Sequence, residues 1–500
     1  MSANMNVHGA CNHSDGQKPF SVGVIGGGIA GSTIALRLAE RGIQVELFEA
    51  GKSLVNGPPI CHLHAGGNLY REISDEQCKT LLKQSIDTLR VFPQTANIRP
   101  TVVAVPERDK GEPSSLIDRL NLLQKTYANL VNNDPLNQVL GSPEEYFKLY
   151  YREELEELAN KPVPNSPASL DDWMIPLVKN LNLSQFKFPF ILVQEYGLSV
   201  FRLAATANLA AEKLPTCSLN MNAKVIDVEQ DSQDNSWQIT YQQYDSDIDD
   251  HITHSTQVDY LVNACGFQTG KIDDMAKLPR KRMIEFKAAY ITHWAECEGI
   301  WPEVIFHGER GTPDGMAQLT PYPDGYFQLH GMTEDITLFR KGLVASTTDS
   351  AQPQLGESFT KKIQFGWKSC DVHTRSERAI KHMAKLLPAY KSATVGGPPL
   401  FGAQQIPGED PSLRAADISF AGNRYARSEI VKASSALNAA NQVLIKLYDD
   451  GLLAEKPTEI HPEQQMPVTS GFTQEVVVSM AEALTVQRNY PPALARPVKY

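Results

Sequence analysis

The sequence predicts an α/β protein in which a domain with a parallel sheet is joined to a second domain with an antiparallel sheet and a helical insertion. The chain has 500 residues, more than one hydrophobic core usually serves, so two domains or three are expected. A β-α-β pattern of about thirty residues starts at Ser21. Strand-like segments between Phe286 and Gly331 indicate the separate antiparallel sheet.

The β-α-β pattern is the best defined local feature of the chain. Its first strand, Ser21–Ile25, is apolar and runs into a glycine-rich turn. A helical pattern from Ile29 to Glu40 follows, and Gly42 stands where a glycine commonly ends a helix. The second strand, Gln44–Phe48, completes the unit.

Further strands that end in glycine are spread along the chain. Val258–Ala264 leads to Gly266, and Asp417–Ala421 leads to Gly422 ahead of a helix predicted at Glu429–Tyr448. This distribution predicts a parallel-sheet domain built from three segments, with the second domain inserted twice. The predicted division is a flexible tail at 1–19, the parallel-sheet domain at 20–92, 195–280 and 396–450, the second domain at 93–194 and 281–395 with a mostly helical insertion at 110–190, and a C-terminal tail at 451–500.

Composition excludes several classes of protein. A net charge of −11 argues against nucleic-acid binding, which needs a basic face. Seven scattered cysteines without a C-x-x-C pair indicate reduced thiols, and the N-terminal residues lack the apolar core of a signal peptide. No apolar run is long enough to span a membrane, so a cytoplasmic protein is expected. The segment Phe472–Leu484 is expected to pack on the protein body, with a peripheral membrane contact as the alternative.

The turn after the first strand carries the motif Gly26-x-Gly28-x-x-Gly31. In this motif the first glycine permits a tight turn, the second lets the backbone approach a pyrophosphate, and the third allows the helix to pack closely. Glu49 closes the second strand, where a carboxylate accepts hydrogen bonds from ribose hydroxyls. These features predict a Rossmann-type dinucleotide site, against the alternative of a glycine-rich turn without a ligand.

Residues 22–50 resemble the FAD-binding start of flavoproteins with the glutathione-reductase nucleotide fold, and most of all the D-amino-acid-oxidase and glycine-oxidase group. Val258–Gly266, Asn222–Val225 and Ile418–Asn423 resemble further flavin-binding segments of that group. The resemblance implies a Rossmann-type FAD-binding domain. The residues that it and the motif assign to FAD are Gly26, Gly28, Ile29, Ala30, Gly31, Glu49, Ala50, Val225, Ala264, Gly266 and Gly422. Arg424 and Arg427 stand where the group often has a second glycine; they are candidates for a flavin contact ahead of the predicted helix, with surface charges paired to acids such as Glu429 as the alternative.

The loop after the second strand, Cys61–Asn68, also resembles a flavin-binding segment. Its residues His64, Ala65 and Gly66 are similar to a W-H-A-A-G-L segment whose histidine bonds covalently to the flavin in the dimethylglycine-dehydrogenase branch. Covalent attachment, a non-covalent contact, a metal site and a solvated glycine turn remain as alternative interpretations. Of these interpretations a metal site is the weakest, because Cys61, His62 and His64 have no fourth ligand at a spacing typical of metal sites.

Substrate-side candidates come from the predicted antiparallel sheet. The segment Leu319–Gly331 resembles a hairpin of the group whose strands face the flavin. Tyr322 and His330 of this segment could reach the substrate, and His330 could act as a base near neutral pH. The alternative is a structural histidine that makes its hydrogen bonds within the sheet. Arg282 is preferred to Lys287 for holding a substrate carboxylate, because arginine offers a bidentate fork.

These features predict an FAD-dependent oxidase or dehydrogenase with a small-molecule substrate. It would transfer a hydride from a carbon bearing nitrogen or oxygen, in an amine, amino acid or hydroxy acid, to the flavin. A flavin monooxygenase or halogenase using NAD(P)H is the first alternative, although the G-D-A-A-H segment typical of the aromatic hydroxylases is missing. A non-catalytic FAD-binding interaction protein is the second. Oxygen, a quinone and a redox protein all remain open as electron acceptor.

Overall fold

The computed structural model describes residues 19–56, 74–245, 247–411, 413, 416, 418–457 and 461–498. Its strands are β1 (Ser21–Ile25), β2 (Gln44–Glu49), β3 (Ala96–Asn97), β4 (Thr101–Pro106), β5 (Phe147–Tyr150), β6 (Phe186–Val193), β7 (Gly197–Leu198), β8 (Cys217–Met221), β9 (Ala223–Gln230), β10 (Trp237–Asp245), β11 (Asp250–Val258), β12 (Tyr260–Asn263), β13 (Arg282–His293), β14 (Glu303–Phe306), β15 (Ala317–Pro321), β16 (Tyr326–Gly331), β17 (Leu343–Ala345), β18 (Thr394–Val395), β19 (Leu400–Pro407), β20 (Ile418–Phe420) and β21 (Tyr425–Ser428).

The α-helices of the described residues are also numbered in chain order. They are α1 (Ile29–Glu40), α2 (Asp75–Val91), α3 (Ile117–Asn133), α4 (Arg152–Ala159), α5 (Leu170–Val178), α6 (Val200–Lys213), α7 (Thr269–Met275), α8 (Glu357–Phe365), α9 (Ser369–Ala384), α10 (Ala436–Asp449), α11 (Pro462–Gln465), α12 (Pro467–Ser470) and α13 (Gln474–Gln487). None of these helices is long and apolar enough to cross a bilayer.

The first sheet has the order β20-β21-β12-β1-β2-β8. The pairs β21–β12, β12–β1, β1–β2 and β2–β8 are parallel, so the carboxyl ends of these strands share one edge. Helix α1 packs against α6 and α10, while the antiparallel strands β9, β10 and β11 bury Ile239 and Val258 against Ile25 and Phe48. This arrangement confirms the predicted α/β fold with a Rossmann-type sheet.

The C-terminal part of this sheet differs from the prediction. The expected parallel strand at 417–421 is β20, which pairs antiparallel with β21 at the edge of the sheet. Gly422 and Arg424 have φ angles of 53° and 51° and reverse the chain in the turn between these two strands. The strand parallel to β12 is therefore β21, and the following helix starts at Ala436 rather than at Glu429.

A larger, mostly antiparallel sheet forms the second part of the molecule. It has the order β17-β13-β16-β15-β14-β4-β6-β5, and β18 and β19 also pair with β13. Its four central strands coincide with those predicted between Phe286 and Gly331. Helix α9 packs on this sheet through Ile380 and Met383, and it covers a core that contains Trp294 and Tyr390.

The segment predicted as a helical insertion is only partly helical. Helices α3, α4 and α5 lie within it, but β5 and β6 also belong to it and pair with each other and with β4. Likewise, β19 lies in the chain segment predicted for the first domain, yet it pairs with β13 of the large sheet from Arg282 to Ala289. Strand pairing between distant segments decides both placements, and the predicted domain limits stay a prediction.

The C-terminal segment packs on the protein body, as expected. Helix α13 lies against α6 and buries Val477 and Leu484. After it, the Arg488 side chain donates hydrogen bonds of 2.9 and 3.0 Å to the carbonyl oxygens of Leu54 and Val55. The C-terminal segment therefore holds the loop that follows β2.

Candidate cofactor and substrate site

One cavity of about 1520 Å³ is lined by residues from both sheets. At one end lie Gly26 and Gly28 after β1, and at the other lie Lys287 on β13 and His330 on β16. Pockets for a single small ligand have volumes of about 300–1,000 Å³. The cavity is therefore large enough for more than one small ligand. We call its two ends the glycine end and the sheet end.

The glycine end is shaped by the turn between β1 and α1. Gly26 has a φ of +98°, and its N–H donates a 2.8 Å hydrogen bond to the Phe48 carbonyl. A Cβ atom on Gly31 would lie 1.7 Å from the Gly26 carbonyl oxygen, so only glycine lets α1 pack this closely. A Cβ on Gly28 would meet no atom within 4 Å, and Gly28 lines the cavity.

Gly28 is also the N-cap of α1, whose first turn contains no acidic side chain. The first N–H groups of a helix lack intrahelical partners and carry partial positive charge, which favours a phosphate. Ile29 and Ala30, the first residues of the helix, line the cavity too. An anionic, pyrophosphate-bearing group therefore fits between these N–H groups and the space that the missing Gly28 side chain leaves open.

Glu49 lies beside this turn at the end of β2. Its carboxylate accepts hydrogen bonds from the N–H groups of Gly27, at 2.7 Å, and Gly51, at 2.6 Å. Burial raises the pKa of Glu49 above its ordinary value, although these N–H groups and the Arg488 guanidinium act in the opposite direction. Since each carboxylate oxygen can accept more than one hydrogen bond, Glu49 retains capacity for ligand hydroxyls.

Most residues assigned to FAD from the sequence come together at the glycine end. The cavity wall contains Gly26, Gly28, Ile29, Ala30, Glu49, Ala50, Val225, Ala264 and Gly266. Gly31 lies behind it against Gly26. His64, Ala65 and Gly66 lie outside the described residues.

The predicted C-terminal FAD residues lie elsewhere. Gly422 and Arg424 line a smaller hollow of about 230 Å³ at the β20–β21 turn, and Arg427 does not line the large cavity. That cavity is lined instead by residues 430–433, between β21 and α10. The sequence pattern placed the flavin contact several residues too early, because Gly422 is a turn glycine and not the end of the parallel strand.

Arg282 and Arg427 meet at a buried aspartate that does not line the cavity. Asp273 on α7 is fully buried, forms an ion pair with Arg282, and accepts a 2.7 Å hydrogen bond from Arg427 Nε. It also accepts a 2.7 Å hydrogen bond from the Tyr425 hydroxyl. Burial lowers the pKa of Arg282 from its ordinary value. This cluster ties α7, β13 and β21 together, and Arg282 does not line the cavity.

Lys287 occupies the position on β13 that faces the cavity. Successive side chains of a strand point to opposite faces, so residues 282 and 287, five apart, lie on opposite sides. Lys287 Nζ lies 2.9 Å from Gln404 Oε1 on β19 and 2.8 Å from Glu285 Oε2. Arg310 also pairs with Glu285 and lines the cavity. The sheet end thus presents two cations around one carboxylate.

Tyr322 and His330 have different surroundings. Tyr322 lies just after β15, where its hydroxyl donates a 3.3 Å hydrogen bond to Gln328 Oε1, and it does not line the cavity. His330 is buried, lines the cavity, and has Nδ1 3.2 Å from Gln318 Oε1. Of the predicted catalytic residues, only His330 reaches the sheet end.

Three solved structures have a fold similar to that of this chain. L-proline dehydrogenase from P. horikoshii is 16% identical, with a TM-score of 0.54 over 90% of this chain and 97% of that chain. Glycine oxidase from Geobacillus kaustophilus is 13% identical, with a TM-score of 0.53 over 89% and 97%. Glycerol-3-phosphate dehydrogenase from Bacillus halodurans, complexed with FAD, is 14% identical, with a TM-score of 0.54 over 96% and 82%. No curated protein sequence matches the chain closely enough to add to this comparison.

These structures share the fold of this chain, in which a Rossmann-type sheet is joined to a large antiparallel sheet. Residues 21–124 match the DAO family, whose description is FAD dependent oxidoreductase. This match, together with the fold, assigns the chain as an FAD-dependent oxidoreductase with FAD as its cofactor. The turn at Gly26–Gly28 and the carboxylate of Glu49 fit the pyrophosphate and the ribose of FAD.

Proposed function

We propose that the protein oxidises a small substrate that carries both an anionic group and an amine or hydroxyl, such as an amino acid or a hydroxy acid. The observation that carries this proposal is the continuity of the cavity from the glycine end to Lys287 and His330. When bound, FAD supplies the two-electron acceptor that takes a hydride from the substrate carbon. The sheet end then has to bind, orient and deprotonate the substrate.

The cofactor would be held mainly by backbone groups. The N–H groups at the start of α1 would bind the pyrophosphate, and Glu49 would accept hydrogen bonds from the ribose hydroxyls. Val225, Ala264 and Gly266 line the same end of the cavity. The segment 430–433, between β21 and α10, also lines the cavity, and we assign to it the flavin contact predicted for Gly422 and Arg424.

Substrate binding is assigned to Lys287, with Arg310 beside it. Both cations line the cavity, and Glu285 and Gln404 hold Lys287 in place. The names of the neighbours L-proline dehydrogenase, glycine oxidase and glycerol-3-phosphate dehydrogenase also specify small substrates that carry an anionic group. A carboxylate or a phosphate on the substrate would pair with these cations.

His330 is the proposed base. Oxidation removes a hydride from the substrate carbon and a proton from the attached nitrogen or oxygen, so that a C=N or C=O double bond forms. A neutral imidazole can accept such a proton. The position of His330 in the cavity wall, on the same sheet as Lys287, supports this role.

Anaerobic bleaching of the flavin tests this function. The FAD-loaded protein is mixed with a panel of amino acids, hydroxy acids, a phosphorylated polyol and matched neutral amines, and flavin absorbance is followed. We expect an anionic member to bleach the flavin. We expect His330→Asn to bind FAD normally and to be reduced about 10²–10⁴-fold more slowly. The control His293→Asn, on β13 but outside the cavity wall, should not change the rate.

Two results would contradict the proposal. If no anionic compound reduces the flavin whereas NADPH alone reduces it rapidly, the monooxygenase alternative gains support. If His330→Asn is reduced at the rate of the unmodified protein, another group takes the proton.

A further inference from the structure

A row of four buried polar side chains leads from the protein interior to the cavity. Arg99 Nη2 lies 3.1 Å from Glu303 Oε2, Gln318 Nε2 donates to Glu303 Oε1 at 2.5 Å, and Gln318 Oε1 lies 3.2 Å from His330 Nδ1. Their exposed fractions are 1, 2, 2 and 5%, respectively. We call this row the relay. Its burial matters because water has little access to these contacts.

The relay crosses adjacent strands of the large sheet. Gln318 on β15 is the direct partner of His330 on β16, and Glu303 lies on the next strand, β14. Arg99 precedes β4, which pairs with β14. The four side chains therefore occupy positions that the strand register fixes, and each has little freedom to turn away.

With Glu303 ionised beside Arg99, the donors and acceptors along the relay follow one order. A guanidinium only donates, so it requires an acceptor, and an ionised carboxylate only accepts. Glu303 therefore receives hydrogen bonds from both sides and requires the NH2 group of Gln318. Gln318 then presents its carbonyl oxygen to His330. An oxygen in this position can only accept, so Nδ1 of His330 must carry the hydrogen.

We infer that Arg99, Glu303 and Gln318 are positioning residues that fix the neutral His330 ring in the tautomer protonated at Nδ1. In this tautomer Nε2 is the acceptor, which is the state a base needs. The inference rests on the proposed function only where it calls His330 the base. The tautomer itself follows from the relay.

The first test measures the tautomer in the unmodified protein. The FAD-loaded full-length protein is labelled with 15N-histidine, and His330→Asn identifies the His330 signals by their loss. Nitrogen NMR near pH 8 is expected to show a protonated Nδ1 and an unprotonated Nε2. A signal for protonated Nε2, or for a mixture of the two tautomers, would overturn the inference without any need for a variant that folds poorly.

The second test reverses the relay with a nearly isosteric change. In Glu303→Gln, the oxygen of the new amide must face Arg99, so its NH2 group faces Gln318. Gln318 must then turn its oxygen toward residue 303 and its NH2 group toward His330. We expect the tautomer to switch to protonated Nε2 and flavin reduction to slow about 10²–10⁴-fold, as for loss of the base.

A double variant supplies the rescue. In Glu303→Gln with Gln318→Glu, the amide at 303 still faces Arg99, and the carboxylate at 318 again accepts from Nδ1. The tautomer should return to protonated Nδ1, and reduction should recover from its level in the single variant. As a matched control, Gln328→Leu removes an equally buried amide on β16 and should leave the tautomer unchanged.

The outcomes separate this inference from the proposed function. If Nδ1 is protonated but no anionic substrate bleaches the flavin, the relay is supported and the role of His330 as the base is refuted. If an anionic substrate bleaches the flavin but the His330 tautomer is unchanged in Glu303→Gln, the proposed function is supported and the relay is refuted.

Discussion

The two ends of the cavity are built from different parts of the chain. The glycine end comes mainly from one continuous segment, β1 to β2, and its ligand groups are backbone N–H groups and the carboxylate of Glu49. The sheet end collects Lys287, His330 and Gln404 from three strands, and its ligand groups are side chains. Shape and backbone therefore decide what binds at one end, whereas charge and side-chain hydrogen bonds decide it at the other.

This difference predicts two kinds of damage. A substitution at the glycine end should act sterically, because an added atom either collides with the backbone or enters the volume that the pyrophosphate needs. A substitution at the sheet end should act through a lost charge or hydrogen bond, with the fold and the bound FAD preserved. Methyl groups at the glycine end, a charge at the sheet end and the protonation of Glu49 test this contrast.

The largest effect is expected from single methyl groups at the glycine end. In Gly31→Ala the new Cβ would overlap the Gly26 carbonyl oxygen, so α1 must shift, and we expect both a lower melting temperature and loss of bound FAD. In Gly28→Ala the methyl group meets open space, and the φ of −66° suits alanine. We expect an unchanged melting temperature without FAD, but an FAD Kd raised by about tenfold or more.

Thermal unfolding of the FAD-free variants and titration with FAD separate these effects. Gly42→Ala serves as a control for glycine replacement away from the cavity, because its φ of +88° strains alanine while no atom lies near the new Cβ. It should lower the melting temperature without raising the FAD Kd. Equal losses of FAD affinity and stability in Gly28→Ala would show that this position is structural only.

The same contrast explains how much of the site the sequence could predict. Gly26, Gly28, Gly31 and Glu49 lie within one β-α-β unit, where spacing along the chain determines spacing in the fold. Their predicted arrangement needed no long-range pairing, and the structure brings them together. Gly422 does not belong to a unit of fixed spacing, and a glycine suits the end of a parallel strand and a hairpin turn equally well. Its position in the fold could therefore not be predicted from the sequence.

At the sheet end, strand pairing decides the outcome. Arg282 and Lys287 lie on opposite faces of β13, but β13 is buried along most of its length and shows no alternation of polar and apolar residues. The sequence therefore did not reveal which face meets the cavity. The relay was equally hidden, because Arg99 and Glu303 are 204 positions apart and meet only through the sheet.

The second prediction concerns the charge at the sheet end. Lys287→Met keeps most of the apolar stem and removes the ammonium group, so an anionic substrate would lose one charge-assisted hydrogen bond. Such a bond contributes about 2 kcal/mol, which corresponds to a KM roughly thirtyfold higher. We expect little change in kcat or in FAD content, measured by steady-state kinetics with the anionic compound that bleaches the flavin.

A control for this variant lies just before the same strand. Lys281 is exposed and pairs with Glu409, so Lys281→Met removes a lysine charge without altering the cavity wall. Its KM should equal that of the unmodified protein. If Lys287→Met raises the KM for a neutral amine as much as for the anionic substrate, the lysine shapes the cavity rather than binding charge.

The smallest predicted effect is a pH dependence at the glycine end, where Glu49 is the charged side chain beside the turn. Burial raises its pKa in the folded protein above the ordinary value, so it becomes protonated at a higher pH than an exposed glutamate. Protonation removes an acceptor for the ribose hydroxyls. The FAD Kd should therefore rise by a few fold as the pH falls from 8 toward 5.

Stability should change in the opposite direction, which gives this prediction a second measurement. An acid whose pKa is raised on folding contributes stability below its unfolded pKa, and this contribution is lost as the pH rises through the folded pKa. Acidification should thus increase the Glu49 contribution to the stability of the FAD-free protein while it weakens FAD binding. In Glu49→Gln both pH dependences should become shallower, and the FAD Kd at pH 8 should be about tenfold higher, since a hydrogen bond to a charged group is lost. An FAD Kd that keeps the full pH dependence in Glu49→Gln would assign it to another group and leave the glycine end without a role for charge.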